Sequence, residues 1–344
     1  MSTKETIGFG ILGTGMIANF HKAAIEANAE NGARLVAMAH YNPERFEILS
    51  KEFSVPCISE QDLLQNPDID VICLCTPSGQ HAEQTIAAAQ AGKHVIVEKP
   101  MALTLEDADQ MINACEAANV KLGIALQRRA EPIFQKVYEA IQAGDLGDIT
   151  LGSVLIPYYR PQSYYDQAEW RGTWALDGGG VLMNQGVHLV DLLVWFMGGD
   201  PVEARAFAHT ATHDIEVEDV LAATLLFEKR GLATVTATTT TDPGYPHRVE
   251  IYGTKGGIQL EGETIARWQV ADPERAKVQP IVSEEVAEAG AASDPRGIKA
   301  TGHINIFQDF IQAIREDREP AIGGAEGRRS LAAVLKIYEA AGIR

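Results

Sequence analysis

An α/β domain with a doubly wound parallel sheet, followed by an α+β domain with a large, mostly antiparallel sheet, is the fold class this sequence predicts. Three observations predict it. A glycine-rich turn separates an apolar run from a helical pattern at the start of the chain. Strand and helix patterns then alternate as far as Gln127. Beyond that point Val- and Thr-rich runs follow one another directly, as strands joined by turns do.

The elements follow in order. Residues 7–12 form a continuous apolar run, as a strand buried on both faces does. Gly13-Thr14-Gly15-Met16-Ile17-Ala18 breaks that run and opens a helix to Ala27, matching G-x-G-x-x-A. Gly13 permits a tight turn, Gly15 lets the backbone approach a pyrophosphate, and Ala18 is small enough for helix–sheet packing. The N–H groups at the helix start suit phosphate. Residues 34–39 are the second strand. Dinucleotide folds place an acid at its end to hold the ribose hydroxyls. Here stand His40-Tyr41-Asn42-Pro43, with no carboxylate and with Arg45 close by in sequence. NAD and NADP both stay open, with a lean toward tolerating a 2′-phosphate.

Helices are predicted over 43–53, 59–65 with Ser59 as N-cap, 81–91 and 104–118; strands over 70–76, 94–97 and 121–126. The 94–97 strand ends in Glu98-Lys99-Pro100. The second half opens with a helix over 132–143 and a strand over 148–156. Further strands are expected at 204–209, 221–228, 233–240, 248–252 and 257–260. A helix is read over 180–197, a Gly-, Ala- and Ser-rich loop over 287–297, and closing helices over 303–316 and 327–341. The expected division is 1–127 for the dinucleotide domain and 128–344 for the substrate-binding and oligomerisation domain.

The chain's 344 residues suit about two domains, and 46% of them are hydrophobic, enough for a sizeable core. Against 29 Lys and Arg stand 47 Asp and Glu. That balance argues against nucleic acid or an anionic membrane as partner. No signal-peptide pattern and no long uncharged apolar window is seen, so a cytoplasmic location is expected. Cys57, Cys73, Cys75 and Cys115 read as buried thiols of a reducing compartment. No metal site is predicted; His209 and His213 share a helical spacing, but their Thr-rich surroundings read as strand and loop.

Two places carry chemistry. Lys99 falls at the carboxyl end of a parallel strand, where open α/β sheets bind ligands. Its amine would serve as proton acceptor or donor if partial burial and a neighbouring positive ring keep it partly neutral; the plainer reading is a surface lysine paired with Glu98. The second place is Gly178-Gly179-Gly180 and the helix behind it. The glycines are expected to leave N–H groups open for a ligand. Asn184, His188 and Asp191 would share one helical stripe, with Asn184 on a substrate hydroxyl, His188 on the reacting oxygen and Asp191 orienting the imidazole; the alternative is a satisfied core histidine. Arg160, beside Tyr158 and Tyr159, and the run Trp170-Arg171-Gly172-Thr173-Trp174 suit a sugar's face and hydroxyls, or equally a packed loop.

Read together, the cofactor turn, Glu98-Lys99-Pro100 and the glycine-rich helix from Gly178 to Asp191 resemble the Gfo/Idh/MocA family of oxidoreductases, as does the ending from His303 to Ala341. The resemblance implies a Rossmann domain, an α+β domain whose sheet often joins subunits into dimers or tetramers, and reversible hydride transfer between NAD or NADP and a sugar, nucleotide-sugar or polyol hydroxyl or ketone. It implies Lys99 and His188 as catalytic. Substrate would be bound by Asn184, Arg160, Trp170 and Arg171. Gly13, Thr14, Gly15, Met16, Ile17, His40, Thr76, Pro77, His81, Glu98 and Lys99 would line the cofactor site. Many members carry Asp where this chain has Asn184, which would leave the proton work to Lys99 and His188. The competing expectation is a non-catalytic regulator that binds dinucleotide or sugar as a signal.

Overall fold

The computed structural model describes residues 5–272 and 300–344; the loop expected over 287–297 lies outside them. The chain divides into two compact units, one from Met1–Ala130 with Lys299–Leu331, the other from Glu131–Ile298 with Ala332–Arg344. A single cut after residue 127 therefore does not describe the chain, because a C-terminal segment returns to the first unit. The cause is the helix Thr301–Glu316, which buries a stripe of His303, Ile306, Phe307, Phe310 and Ile311. Such a stripe needs an apolar partner. Phe307 meets Phe9 at 5.6 Å between ring centroids, and Asn28 Nδ2 donates to the Ile304 carbonyl at 3.1 Å.

The first unit is built on six parallel strands: β1 (Ile7–Leu12), β2 (Ala33–Ala39), β3 (Cys57–Ile58), β4 (Val71–Leu74), β5 (His94–Val97) and β6 (Leu122–Ile124). Their order is β3-β2-β1-β4-β5-β6. Every residue of β1 and β4 is buried, which explains why those strands read as unbroken apolar runs. The order reverses between β1 and β4, and the crevice outside the carboxyl ends of such strands is where open α/β sheets bind ligands. Around the sheet lie α1 (Met16–Ala27), α2 (Phe46–Phe53), α3 (Glu60–Gln65), α4 (His81–Gln90) and α5 (Leu105–Ala117). Ser59 and Thr104 cap α3 and α5, their side chains accepting from the N–H of Asp62 and Asp107. Pro43–Arg45 is a separate 3₁₀ turn before α2, so the helix expected over 43–53 is two elements.

The second unit carries a seven-stranded sheet ordered β13-β12-β11-β7-β10-β9-β8. Its strands are β7 (Ile149–Pro157), β8 (Pro201–His209), β9 (Val220–Phe227), β10 (Leu232–Thr238), β11 (Arg248–Gly253), β12 (Gly256–Glu261) and β13 (Thr264–Gln269). All neighbours are antiparallel except β7 and β10. After α6 (Pro132–Gln142) and the short α7 (Gln162–Tyr165), a π-turn at Leu182–Gly186 runs into α8 (Val187–Met197). Among the residues of α8 only Trp195 is not buried. Gly152 of β7 makes room for this helix: a Cβ there would press on Leu193 and Met197. The helix Gly324–Ala341 is shared, its residues counting with the first unit through Leu331 and with the second from Ala332.

Candidate active site

In the first unit the expected turn forms between β1 and α1. Gly13 has φ +101°, and a Cβ there would stand 2.5 Å from the Cys75 carbonyl oxygen, so glycine serves both the turn and the close approach to β4. Gly15 is the N-cap of α1 and caps it with no side chain. A Cβ on Gly15 would meet nothing within 4 Å, so the space above these N–H groups is open. Ala18 is wholly buried. Open space over a helix start with available N–H donors fits a dinucleotide pyrophosphate. Thr14, Gly15, Met16 and Ile17 would hold it there, with Thr76 and Pro77 at the end of β4. At the end of β2, His40 is buried and stacks on Tyr41 at 4.5 Å.

Glu98 and Lys99 follow β5. Glu98 is buried and fully engaged: Oε1 accepts from His21 Nε2 at 2.9 Å and His303 Nε2 at 3.3 Å, and Oε2 from the Lys99 N–H at 3.2 Å. Burial alone would raise this carboxyl, but the two imidazole donors outweigh it and hold it well below the usual range. Burial lowers the His21 imidazole, so a neutral ring gives its Nε2–H to an ionised carboxylate. The ligand-type atoms of His21, Glu98 and His303 lie within 4.8 Å of one another, here at hydrogen-bond separations. His81 is equally occupied, its Nδ1 2.9 Å from the Pro100 carbonyl and its Nε2 3.0 Å from that of Thr76. The side chains of Glu98 and His81, expected at the cofactor site, thus contact the backbone on either side of Lys99, at the Lys99 N–H and the Pro100 carbonyl. Lys99 itself is half-buried.

In the second unit the glycine run works differently from the expectation. The Gly178 N–H donates to the Thr173 carbonyl at 3.1 Å, and that of Gly180 is taken by an acid. Gly180 and Leu182 donate to the two oxygens of Glu218, each at 2.9 Å. Val181 donates to the Glu218 carbonyl at 2.9 Å. Met183 donates to the Tyr338 hydroxyl at 3.1 Å, and that hydroxyl donates to Glu218 Oε1 at 2.7 Å. The glycines admit these partners: a Cβ on Gly179 would overlap the Tyr338 hydroxyl, and one on Gly180 the Glu218 carbonyl. Burial raises the Glu218 carboxyl to about 7 against the pull of its donors.

Asn184 lies inside the π-turn, while His188 and Asp191 lie on α8. The regular stripe expected across all three is therefore kept only by the last two, both buried. Asn184 Nδ2 donates to Asp177 Oδ1 at 2.8 Å, and Asp177 Oδ2 accepts from the Gly172 N–H at 3.0 Å. A carboxylate accepts only, so the amide orientation of Asn184 is fixed and its carbonyl is turned elsewhere.

Arg160, Trp170 and Arg171 are brought together by Tyr164. The guanidinium carbon of Arg171 lies 4.1 Å from that ring and that of Arg160 5.6 Å; Arg171 also sits 5.3 Å from the Trp170 ring. Trp174 Nε1 donates to the Glu216 carbonyl at 3.1 Å and its N–H to the Glu216 carboxylate at 3.0 Å. Asp219 accepts from the N–H groups of Ala211, Thr212 and His213, and His213 Nε2 lies 2.7 Å from the Arg160 carbonyl. Tyr164, Asp177, Glu216, Glu218, Asp219 and Tyr338 were not anticipated. Their partners stand far away in sequence or in loops, where no periodic pattern marks them.

Residues 7–126 match the family described as "Oxidoreductase family, NAD-binding Rossmann fold", and residues 134–259 match the "GFO/IDH/MocA C-terminal domain". The chain is 34% identical to the WlbA dehydrogenase from Bordetella pertussis, solved in complex with NADH and UDP-GlcNAcA; the likeness covers 98% of this chain and 97% of that one, with a TM-score of 0.86. It is 30% identical over 339 residues to the 1,5-anhydro-D-fructose reductase of Ensifer adhaerens, covering 97% of this chain and 96% of the relative. It is 26% identical over 333 residues to the inositol 2-dehydrogenase of Rhizobium meliloti (strain 1021), covering 95% and 94%. With both halves matched, in the order the motifs predict, the chain belongs to the Gfo/Idh/MocA family of NAD-binding oxidoreductases.

Proposed function

We propose that the protein catalyses reversible hydride transfer at a CH–OH carbon of a sugar, nucleotide-linked sugar or polyol, with Lys99 handling the hydroxyl proton and His188 hydrogen-bonding the reacting oxygen. The observation that carries this reading lies within the first unit. The open glycine turn ends β1, Lys99 leaves the carboxyl end of β5, and only β4 separates those strands. The relatives named above, which are dehydrogenases or reductases by name, support the reaction class.

When bound, the nicotinamide supplies a hydride acceptor at its C4 position. In the oxidative direction the substrate C–H bond breaks with its electron pair, the O–H proton goes to the Lys99 amine, and the carbon–oxygen double bond forms. The brace of Glu98 and His81 fixes the backbone from which Lys99 extends, so little ordering is left for the reacting state. Asn184, its amide nitrogen held by Asp177, would orient a substrate hydroxyl. The side chain of His188 would hold the oxygen on which charge develops.

Three finer points belong to the same reading. The residues after β2 carry no acid at 40–43, and Arg45 is exposed, which favours acceptance of NADP as well as NAD. The four cysteines are buried and unpaired, as suits a cytoplasmic protein; among the described residues no helix is long and apolar enough to cross a membrane. The outer sheet face of the second unit takes a second copy of the chain. Phe207 pairs across the sheet with Ala222, Ala222 with Thr236 and Thr236 with Leu155, and these residues line an apolar groove of about 300 Å³.

The test is turnover. NAD⁺ and NADP⁺ are offered with sugars, sugar phosphates, nucleotide sugars and inositols, and absorbance is followed at the reduced-nicotinamide band. Lys99→Ala should lower kcat by about a hundredfold or more while cofactor binding persists. Cofactor binding without turnover of any candidate would defeat the enzyme reading. A raised KM with normal kcat in Lys99→Ala would remove the proton role from Lys99.

A further inference from the structure

A helix leaves its first four N–H groups without partners inside itself. In the helix that carries Asn184 and His188 those groups are Gly180, Val181, Leu182 and Met183, and the first internal bond runs from the Asn184 N–H to the Gly180 carbonyl at 2.9 Å. Three of the four donors end on one residue, Glu218, through both carboxylate oxygens and its carbonyl. The fourth ends on Tyr338, whose hydroxyl itself donates to Glu218. Glu218 and Tyr338 are both fully enclosed.

This is more than an ordinary cap. Ser, Thr or Asp at the N-cap position would satisfy one or two donors from within the same segment. Here the partner comes from the segment before β9, and its neighbours hold other parts of the same surroundings. Glu216 holds Trp174, and Asp219 holds the 211–213 turn whose His213 reaches the Arg160 carbonyl. The element being held contains a π-turn. Such turns are strained relative to a regular helix and persist only where surrounding contacts fix them.

Resting on the function proposed above, we propose that Glu218, completed by Tyr338, is a positioning residue for substrate: it fixes the start of the π-turn and so places Asn184 and His188. Glu218 and Tyr338 themselves act through that turn and not on the reacting atoms. Glu218→Gln keeps the shape but turns an amide NH₂ toward a backbone N–H, donor against donor. Tyr338→Phe removes the acceptor of the Met183 N–H and one donor to Glu218.

The experiment measures kcat and KM for the best substrate of the panel, and the dissociation constant of NADH, for wild type and both variants well below their melting temperatures. Glu218→Gln should lose about tenfold or more in kcat/KM for the sugar, and Tyr338→Phe roughly threefold to tenfold, a loss on the order of one buried hydrogen bond. NADH affinity should stay within about twofold of wild type, because the glycine turn belongs to the other unit. A merely structural cap would lower the melting temperature and leave kcat/KM of the folded enzyme alone, and that outcome overturns the proposal. So does a loss that falls equally on NADH binding. If Glu218→Gln does not fold, Tyr338→Phe decides. Wild-type protein that turns over no candidate overturns the function reading and this inference with it; wild-type turnover with unaffected variants overturns this inference alone.

Discussion

Glu98 is a motif residue whose charge is held by its own surroundings. Its carboxylate is buried between two imidazoles and the N–H of Lys99. Because its folded pKa is depressed, the sign of the linkage is set: the stability it contributes is present above the unfolded carboxyl value and is lost as pH falls through the folded one. Glu98→Gln should therefore lower the melting temperature at pH 7. The difference from wild type should shrink as pH is taken below about 4.5, read from parallel melts across that range. A difference that stays constant with pH would mean the carboxylate carries no net charge stabilisation. The candidate lysine and histidine were legible at this scale because each sits in a local motif. Asp177 and Glu218 were not, since an acid in a loop is ordinarily solvated and nothing nearby in sequence announces the N–H groups it meets.

At the scale of the element, the two glycines of the β1–α1 turn should separate cleanly. Gly13 is needed by the fold: its φ is positive and its missing Cβ makes room for the Cys75 carbonyl. Gly13→Ala should cost about 1–3 kcal/mol, seen as a lower midpoint in denaturant unfolding. Gly15 has φ −74° and open space before it. Gly15→Ala should unfold like wild type yet bind NADH about tenfold or more weakly, as a methyl group takes the place of closely approaching phosphate. Equal losses of stability in both variants would show that Gly15 serves packing instead. The strands and helices of the first unit were readable because burial on both faces and clear caps leave strong patterns. Strand β3 has two residues, too few for any period. In β13 the buried residues are Ile265 and Trp268, three apart, because the register shifts between Gln259 and Leu260; that shift erases the alternation a strand is read from. The π-turn leaves no compositional mark, since its residues are those of an ordinary helix.

At the scale of the whole molecule the proposed self-association has to work against a net charge of −18. Like charges repel copies at long range, so a lasting contact needs an apolar patch with few charges. The outer sheet face has one. Phe207 is 84% exposed and heads the row through Ala222, Thr236 and Leu155. The next row runs through Arg205, Thr224, Thr234 and Ser153. Burying one phenylalanine side chain is worth about 2–3 kcal/mol, and a two-fold axis counts each contact twice. Removing Phe207 from both copies should then weaken a dimer by about a thousandfold or more. Phe207→Asp also places two new like charges near the axis, while an exposed position leaves the fold of each copy alone. Light scattering after size exclusion should give a dimer or tetramer mass for wild type and a reduced assembly for Phe207→Asp, with NADH affinity unchanged. Added salt should strengthen wild-type association by screening the acidic surfaces without restoring the variant, since salt does not replace lost apolar contact. A wild-type monomer at micromolar concentration, or a Phe207→Asp variant that keeps the wild-type mass, would move the interface off this face.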